Sequence, residues 1–477
     1  MRFLTLAHRW MGVILCLFFA CWFISGAILI YHPFPSLSQS DRFASSSRVD
    51  LTKIKVSPQE AVKISGSVEL DRLRLIDLEG RPVYVFHRID NKILTLDAQN
   101  GNRIPPVQKN VAGKIAEKFS QRPALKIEGP LDYDQWIVPN RYDPYRPFYR
   151  VSLEDEKHTT LYVSTQTGEI LQKTTVSQRT WNYLGAVVHW IYPTVLRKNW
   201  AMWDQVVWWL SLLAVLTAVA GLVLGATNLR GSEKQKGFTS PYKGWLRFHH
   251  YLGLIAGIFV LAWIFSGWLS MDHGRIFSKP NAEPDQIKKF RSITIKQAAE
   301  NIPLEALQAL GKYSEVEIFA VGGNPFVVSR NSAESKLFKP SSLRSLSLTT
   351  ITDSEYVDAV RRVWSEVGLK SIENPTESDI YGNLREGSLP RNTLRIILDD
   401  PIKTWVHIDR DSGKIVSIMD RSRRQYRWLF NALHSLDIPG LANRRPIWDI
   451  LILVLLGFGF LFSITSVTIG VKRLFKQ

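Results

Sequence analysis

HRWMGVILCLFFACWFISGAILIYH, residues 8–32, and HHYLGLIAGIFVLAWIFSGWLSMDH, residues 249–273, align without a gap at an offset of 241. His8 matches His249, Gly12 matches Gly253, Ser25-Gly26 matches Ser266-Gly267, and His32 matches His273. Within each stretch an uncharged run, Trp10 to Tyr31 and Tyr251 to Met271, is long enough to cross a bilayer, which takes about 20 apolar residues. The first run is too long for a signal-peptide core, and no A-x-A site follows it, so it reads as a retained helix.

A second block repeats at an offset of 245. RTWNYLGAVVHWIYPTVLRKNWAMWD, from Arg179, matches RQYRWLFNALHSLDIPGLANRRPIWD, from Arg424. His189 pairs with His434 and Trp203-Asp204 with Trp448-Asp449, and each block runs into a further apolar span. Upstream, Arg150 pairs with Arg395, Asp155 with Asp400 and Gly168 with Gly413. Each half is therefore helix, domain, helix. The expected fold is a membrane protein, a four-transmembrane-helix bundle from an internal duplication, with two α+β domains on one side. The spans are 10–31, 202–226, 249–271 and 447–471; the domains are 32–201 and 272–446. Parallel repeats of this kind place shared sites at the repeat interface.

This organisation explains a composition that is otherwise misleading. The mean hydropathy of -0.06 resembles that of a soluble chain, but it averages lipid-compatible helices with polar domains. The net charge of +17 partly reports topology. Loop 227–248 carries Arg230, Lys234, Lys236, Lys243 and Arg247 against Glu233. The N-terminus, 1–9, has Arg2 and Arg9, and the C-terminus, 472–477, has Lys472, Arg473 and Lys476. Short basic segments stay on the cytoplasmic side. Both termini are then inside and both domains outside, and nucleic acid falls away as a partner. Two cysteines, with no CxxCH, exclude a disulfide scaffold and c-type haem attachment.

The domains read as scaffold or binding surface. Ser57-Pro58-Gln59-Glu60 is a capping box with Pro at the first helical position. Strand-like runs start at Arg72, Pro82 and Lys92, and Asp353 to Gly368 reads as an amphipathic helix. LYVSTQTGEIL and WVHIDRDSGKIV share a strand-turn-Gly-strand pattern. No nucleophile elbow, P-loop, HExxH or dinucleotide fingerprint occurs, and no catalytic residue is assigned.

The chemistry rests on histidine. Six of the ten sit at duplicated positions near span ends: His8/His249, His189/His434 and His32/His273. Imidazole at a helix end inside a bundle is the usual axial ligand of b-type haem, and a six-coordinate iron takes two, one from each facing element. On the cytoplasmic side His8 and His249 are available, with His250 as alternative to His249. On the outer side His189, His434, His32 and His273 supply one or two further sites. His8 and His32 are 24 residues, about 36 Å of helix, apart, so no single cofactor touches both. His87, His158 and His407 read as surface residues of the domains. A non-haem metal is the lesser reading, because no Cys or carboxylate cluster accompanies the six. Ser25-Gly26 and Ser266-Gly267 serve helix packing or the approach of a flat macrocycle; Asp204 and Asp449 serve as helix caps or proton relays.

HRWMG, SPQEAVK, YVSTQTGEIL, LGAVVHWIYPTVLR, FHHYLG, LDDPIKTWVHIDRDSGKIV and NALHSLD with NRRPIWD together resemble the PepSY-associated transmembrane proteins of bacterial inner membranes. The resemblance covers nearly the whole chain. It implies two PepSY-like periplasmic domains, and it is similar to haem-containing ferric-siderophore reductases of that family. By that likeness the chain would hold about two haem b groups. His8, His249, His189 and His434 would be their ligands, and a periplasmic ferric chelate or siderophore would receive the electrons. No flavin or nicotinamide motif is visible, so the donor would be a separate cytoplasmic reductant or quinol. The competing class is a non-redox module that binds peptide or regulates a periplasmic protease.

Overall fold

A computed structural model describes residues 1–477 except 67–68, 232–239, 333, 343–344, 385–386 and 476–477. Lys234, Lys236, Glu233 and Lys476, which entered the orientation argument, lie outside the described residues. Four helices are long and apolar enough to cross a membrane: Arg2–Tyr31, Trp200–Gly231, Trp245–Ser270 and Ile447–Phe475. Each outruns or reframes its expected span by a few residues. The first begins at Arg2 rather than at residue 10, because nothing in the charged N-terminal turn breaks a helix. The first span packs on the fourth, the fourth on the third, the third on the second and the second on the first. The bundle core includes Leu15, Phe19, Phe23, Ala256, Val260 and Trp263.

The soluble part departs from the expectation of two separate domains. Three antiparallel strands of the first half are β1 (Leu70–Leu78), β2 (Arg81–Arg88) and β3 (Ile93–Asp97). The second half supplies β4 (Glu315–Val321), β5 (Asn324–Arg330), β6 (Ser335–Ser342) and β7 (Ser345–Leu348). These form one seven-stranded sheet in the order β7-β6-β5-β4-β1-β2-β3. β1 and β4 pair antiparallel at the centre, with Glu317 opposite Arg74 and Ile318 opposite Leu73. The period-2 alternation of β1 and β2 sends Leu73, Leu75, Tyr84 and Phe86 into a core shared with the second half. Ile76, Leu78, Val83 and Val85 face a core built from the first half alone.

Each half adds a four-stranded antiparallel meander, Ala124 to Thr174 and Leu369 to Met419. The last hairpin of each turns on a glycine, Gly168 at φ 71° and Gly413 at φ 69°. A Cβ there would also lie 2.4 Å from Leu78 Cδ1 or 2.5 Å from Phe319 Cε2, so the turn's residue type is fixed twice. After each meander comes a short helix, then one wide π-helical turn, Tyr183–Val187 and Arg427–Ala432, that delivers His189 and His434. Capped helices open at Ser57 and Thr352 as their sequences require, the latter ending at Val363 where Trp364 leaves helical geometry.

Candidate functional site

Four of the six duplicated histidines meet in two facing pairs. At the end of the bundle away from the sheets, the rings of His8 and His249 are 6.3 Å apart, centre to centre. At the domain end, His189 and His434 are 6.0 Å apart. Seventeen residues separate His8 from Ser25, the partner of His189, which is about 25 Å of helix.

Each ring is held through Nδ1. His8 Nδ1 lies 3.0 Å from the Thr217 carbonyl, which can only accept, so Nδ1 carries the proton. His249 Nδ1 lies 3.1 Å from Thr465 Oγ1 and 3.3 Å from Ser466 Oγ. Both hydroxyls spend their own protons on the Phe462 carbonyl and so accept from the ring. The domain-end pair repeats one device twice. His189 Nδ1 is 3.1 Å from Ser25 Oγ, and Ser25 donates to the Trp22 carbonyl. His434 Nδ1 is 3.1 Å from Ser266 Oγ, and Ser266 donates to the Trp263 carbonyl. Among the described residues, none of the four Nε2 atoms takes a hydrogen bond. Each therefore keeps a free lone pair, as a metal-ligating imidazole does.

Glycine clears the space beside these rings. A Cβ on Gly221 would lie 2.7 Å from His8 Cε1, and one on Gly26 or Gly267 would lie 3.3 or 3.4 Å from Cε1 of His189 or His434. The duplicated Ser-Gly motif thus has one job in each half: serine fixes the imidazole and glycine admits it. A metal–nitrogen bond is about 2.0 Å, so two imidazoles bound on opposite sides of one metal have ring centres about 6.2 Å apart. Both pairs meet that spacing. Among the described residues no group of three or more His, Cys, Asp or Glu could hold a metal ion. Each pair would offer two nitrogen donors to a metal-bearing group that brings its remaining ligands with it.

The other histidines are employed elsewhere. His250 bonds Ser240 Oγ at 2.7 Å and the Gly225 carbonyl at 3.0 Å, so both its nitrogens are engaged and His249 is the ring that faces His8. His32 stacks on Trp181 at 4.7 Å. His273 bonds Asp204 through Nδ1 at 2.8 Å and lies 4.9 Å from Trp208. Asp204 stands one turn inside its helix and binds this histidine rather than capping; Asp449 accepts from Tyr31 and pairs with Arg445. Of the three expected surface histidines, one is buried and one half-buried. His407 is 0 % exposed and accepts from Arg395 Nε at 2.8 Å. His87 is half-buried and accepts from Arg74 Nε at 3.1 Å. An alternating strand does not say which face is covered; here an arginine on the neighbouring strand stands against each ring. His158 is exposed as expected.

Thr217, Thr465 and Ser466 escape sequence reading. Thr217 matches Phe462 at the offset of 245, so the duplication leaves no repeated signal there. Ser25 and Ser266 were visible as a repeat, though not as the holders of His189 and His434. The family model for the PepSY-associated TM region matches residues 5–473, and the chain belongs to that family. No curated protein matches it.

Proposed function

From its place in the PepSY-associated transmembrane family and the two histidine pairs, we propose that this chain is a b-type haem oxidoreductase of the bacterial inner membrane. One haem would sit between His8 and His249 and one between His189 and His434. The observation that carries the reading is the pairing itself: two imidazoles about 6 Å apart at each end of one bundle, Nδ1 tied and Nε2 free. Haem would supply one-electron chemistry at both ends. The residues orient the rings, fix their tautomers and exclude water with aromatic and aliphatic side chains. The duplication supplies one donor per half at each centre, so neither half holds a haem alone. In this reading the basic termini are cytoplasmic and the sheets periplasmic. Electrons pass outward to a periplasmic ferric chelate, such as a ferric siderophore, whose reduction releases its iron.

The visible spectrum of the purified protein, oxidised and dithionite-reduced, tests this. Sharp low-spin b-type bands from about two haems per chain are expected. His8→Ala with His249→Ala should remove one haem and leave the other's signal intact. A folded, colourless protein from haem-replete cells sinks the redox reading and favours the non-redox peptide-binding module.

A further inference from the structure

A groove of about 500 Å³ opens between the first and fourth spans on the face of the first helix opposite Ser25 and Gly26. Its floor is apolar and low: Ala27, Leu453, Leu456 and Gly457. Its rim, at the domain end, carries His32 stacked on Trp181 with ring planes 4° apart. Beside it Tyr31 donates to Asp449, and Asp449 pairs with Arg445.

The equivalent place between the second and third spans shows what this groove lacks. At the offset of 241, Ala27 corresponds to Trp268; at 245, Leu453 corresponds to Trp208 and Gly457 to Leu212. Trp208 and Trp268 lie 5.7 Å apart there, and Trp208 also packs on His273. Between the first and fourth spans two flat aromatic rings are therefore replaced by alanine and leucine, and the histidine at the rim is kept. A space of this size, within the usual range for small-molecule sites, is apolar along its length and polar at one end. It suits a flat ring with a carbonyl at the rim and a hydrocarbon tail along the helices. The charged groups at the rim, Arg445 and Asp449, satisfy each other, which favours an uncharged head over a phosphate.

We propose that this groove binds a lipid-soluble quinone, with the ring in the space equivalent to that of Trp208 and Trp268 between the second and third spans, and the His32 imidazole at its carbonyl. Binding does not depend on haem; the use of the quinol as electron source rests on the redox reading above.

The test uses the full chain in nanodiscs of uncharged phospholipid, titrated with decylubiquinone, with bound quinone per chain measured by extraction after separation. One saturable quinone per chain is expected above the partition into empty discs. Ala27→Trp with Leu453→Trp copies the closed place between the second and third spans and should bring binding to background. Trp208→Leu with Trp268→Ala opens that place and should raise binding to two per chain. Haem content is read from the spectrum of the same samples, so loss of quinone with haem retained, or the reverse, separates the two proposals. Wild-type binding no greater than empty discs, undiminished binding in the folded A27W/L453W protein, or a single site in folded W208L/W268A overturns the inference.

Discussion

Arg72 and Arg74 in β1 hold the places that Glu315 and Glu317 hold in β4, at an offset of 243. Across the central seam Arg74 NH1 binds Glu315 at 2.7 Å, and Arg72 binds both glutamates, at 3.1 and 2.8 Å. The inversion continues outward. Glu169, just after the Gly168 turn, binds Arg74, while its equivalent Lys414, just after Gly413, binds Glu317. His87 accepts from Arg74, while its equivalent Arg330 binds Glu317. At the paired histidines, by contrast, the halves are identical: histidine faces histidine, and serine and glycine stand behind both rings at the domain end. A seam demands only complementarity, so the two sides drift together to opposite signs. A centre that takes one donor from each half demands the same residue twice. The seam also makes the halves mutually specific, since two first halves would set Arg74 against Arg74 in the same register.

The largest effect expected from breaking this comparison follows Arg74→Ala. Arg74 is 1 % exposed; its loss takes one close partner from each of the buried Glu315 and Glu169, leaving Glu315 to Arg72 and Arg330 and Glu169 to Arg42. Breaking a buried pair costs about 3–5 kcal/mol, and with these partners remaining the loss should be near the lower figure, about 3 kcal/mol. Removing the partly exposed Arg88–Asp90 pair by Arg88→Ala should cost about 1 kcal/mol or less. Denaturant unfolding of the purified protein, followed by circular dichroism, compares the two. Equal losses would mean that the seam is solvated and carries no specificity.

Why the membrane half was legible and the seam was not follows from the length scale of each signal. Lipid imposes apolar runs that any single segment displays, and donors that must be identical survive as repeats. Alternation alone would turn the charged face of RLRLIDL, and equally of EVEIFAV, to water. Their charges instead face one another, more than 240 residues apart in the chain, and neutralise in place. No local pattern encodes that, and it is why two independent domains were the natural expectation. His407 escaped for a more local reason: Arg395 on the neighbouring strand and the ring of Trp405 stand against it, which alternation alone does not show.

The buried domain histidines give an effect of intermediate size, in pH. Burial first, then the Arg395 guanidinium, holds His407 down to about 3 from 6.5; burial, then Arg74, does the same for His87. The unfolded chain takes protons below pH 6.5 that the folded rings refuse until about 3. Stability is therefore full above 6.5 and declines as pH falls toward 3. Glu315, held at about 2 by Arg72 and Arg74 against the opposing effect of burial, adds a decline only below 4.5. Between pH 6.5 and 4.5 the histidines should dominate. His87→Gln with His407→Gln, which keeps an acceptor in each place, should make the fall of Tm in that window shallower while leaving the fall below 4.5. An unchanged slope would mean that these rings are protonated in the folded protein.

The smallest effect tests whether the two ends of the bundle are built independently. Ser25 Oγ accepts from His189 Nδ1, and Ser266 Oγ from His434 Nδ1. Such a bond between membrane helices is worth about 0.6 kcal/mol. Donating Nδ1–H makes the opposite nitrogen a better electron donor and stabilises the oxidised metal it binds. Ser25→Ala should then raise the midpoint potential of the haem proposed at the domain end by about 25 mV, since 59 mV is tenfold for one electron. The helix would still pack, because alanine fills the serine's volume. The potential of the His8/His249 centre, held by Thr217, Thr465 and Ser466, should not move. Ser266→Ala should give the same shift as Ser25→Ala if the duplicated motif performs one role in both halves. A shift in both potentials, or in neither, would show that serine acts through helix packing rather than through the ring.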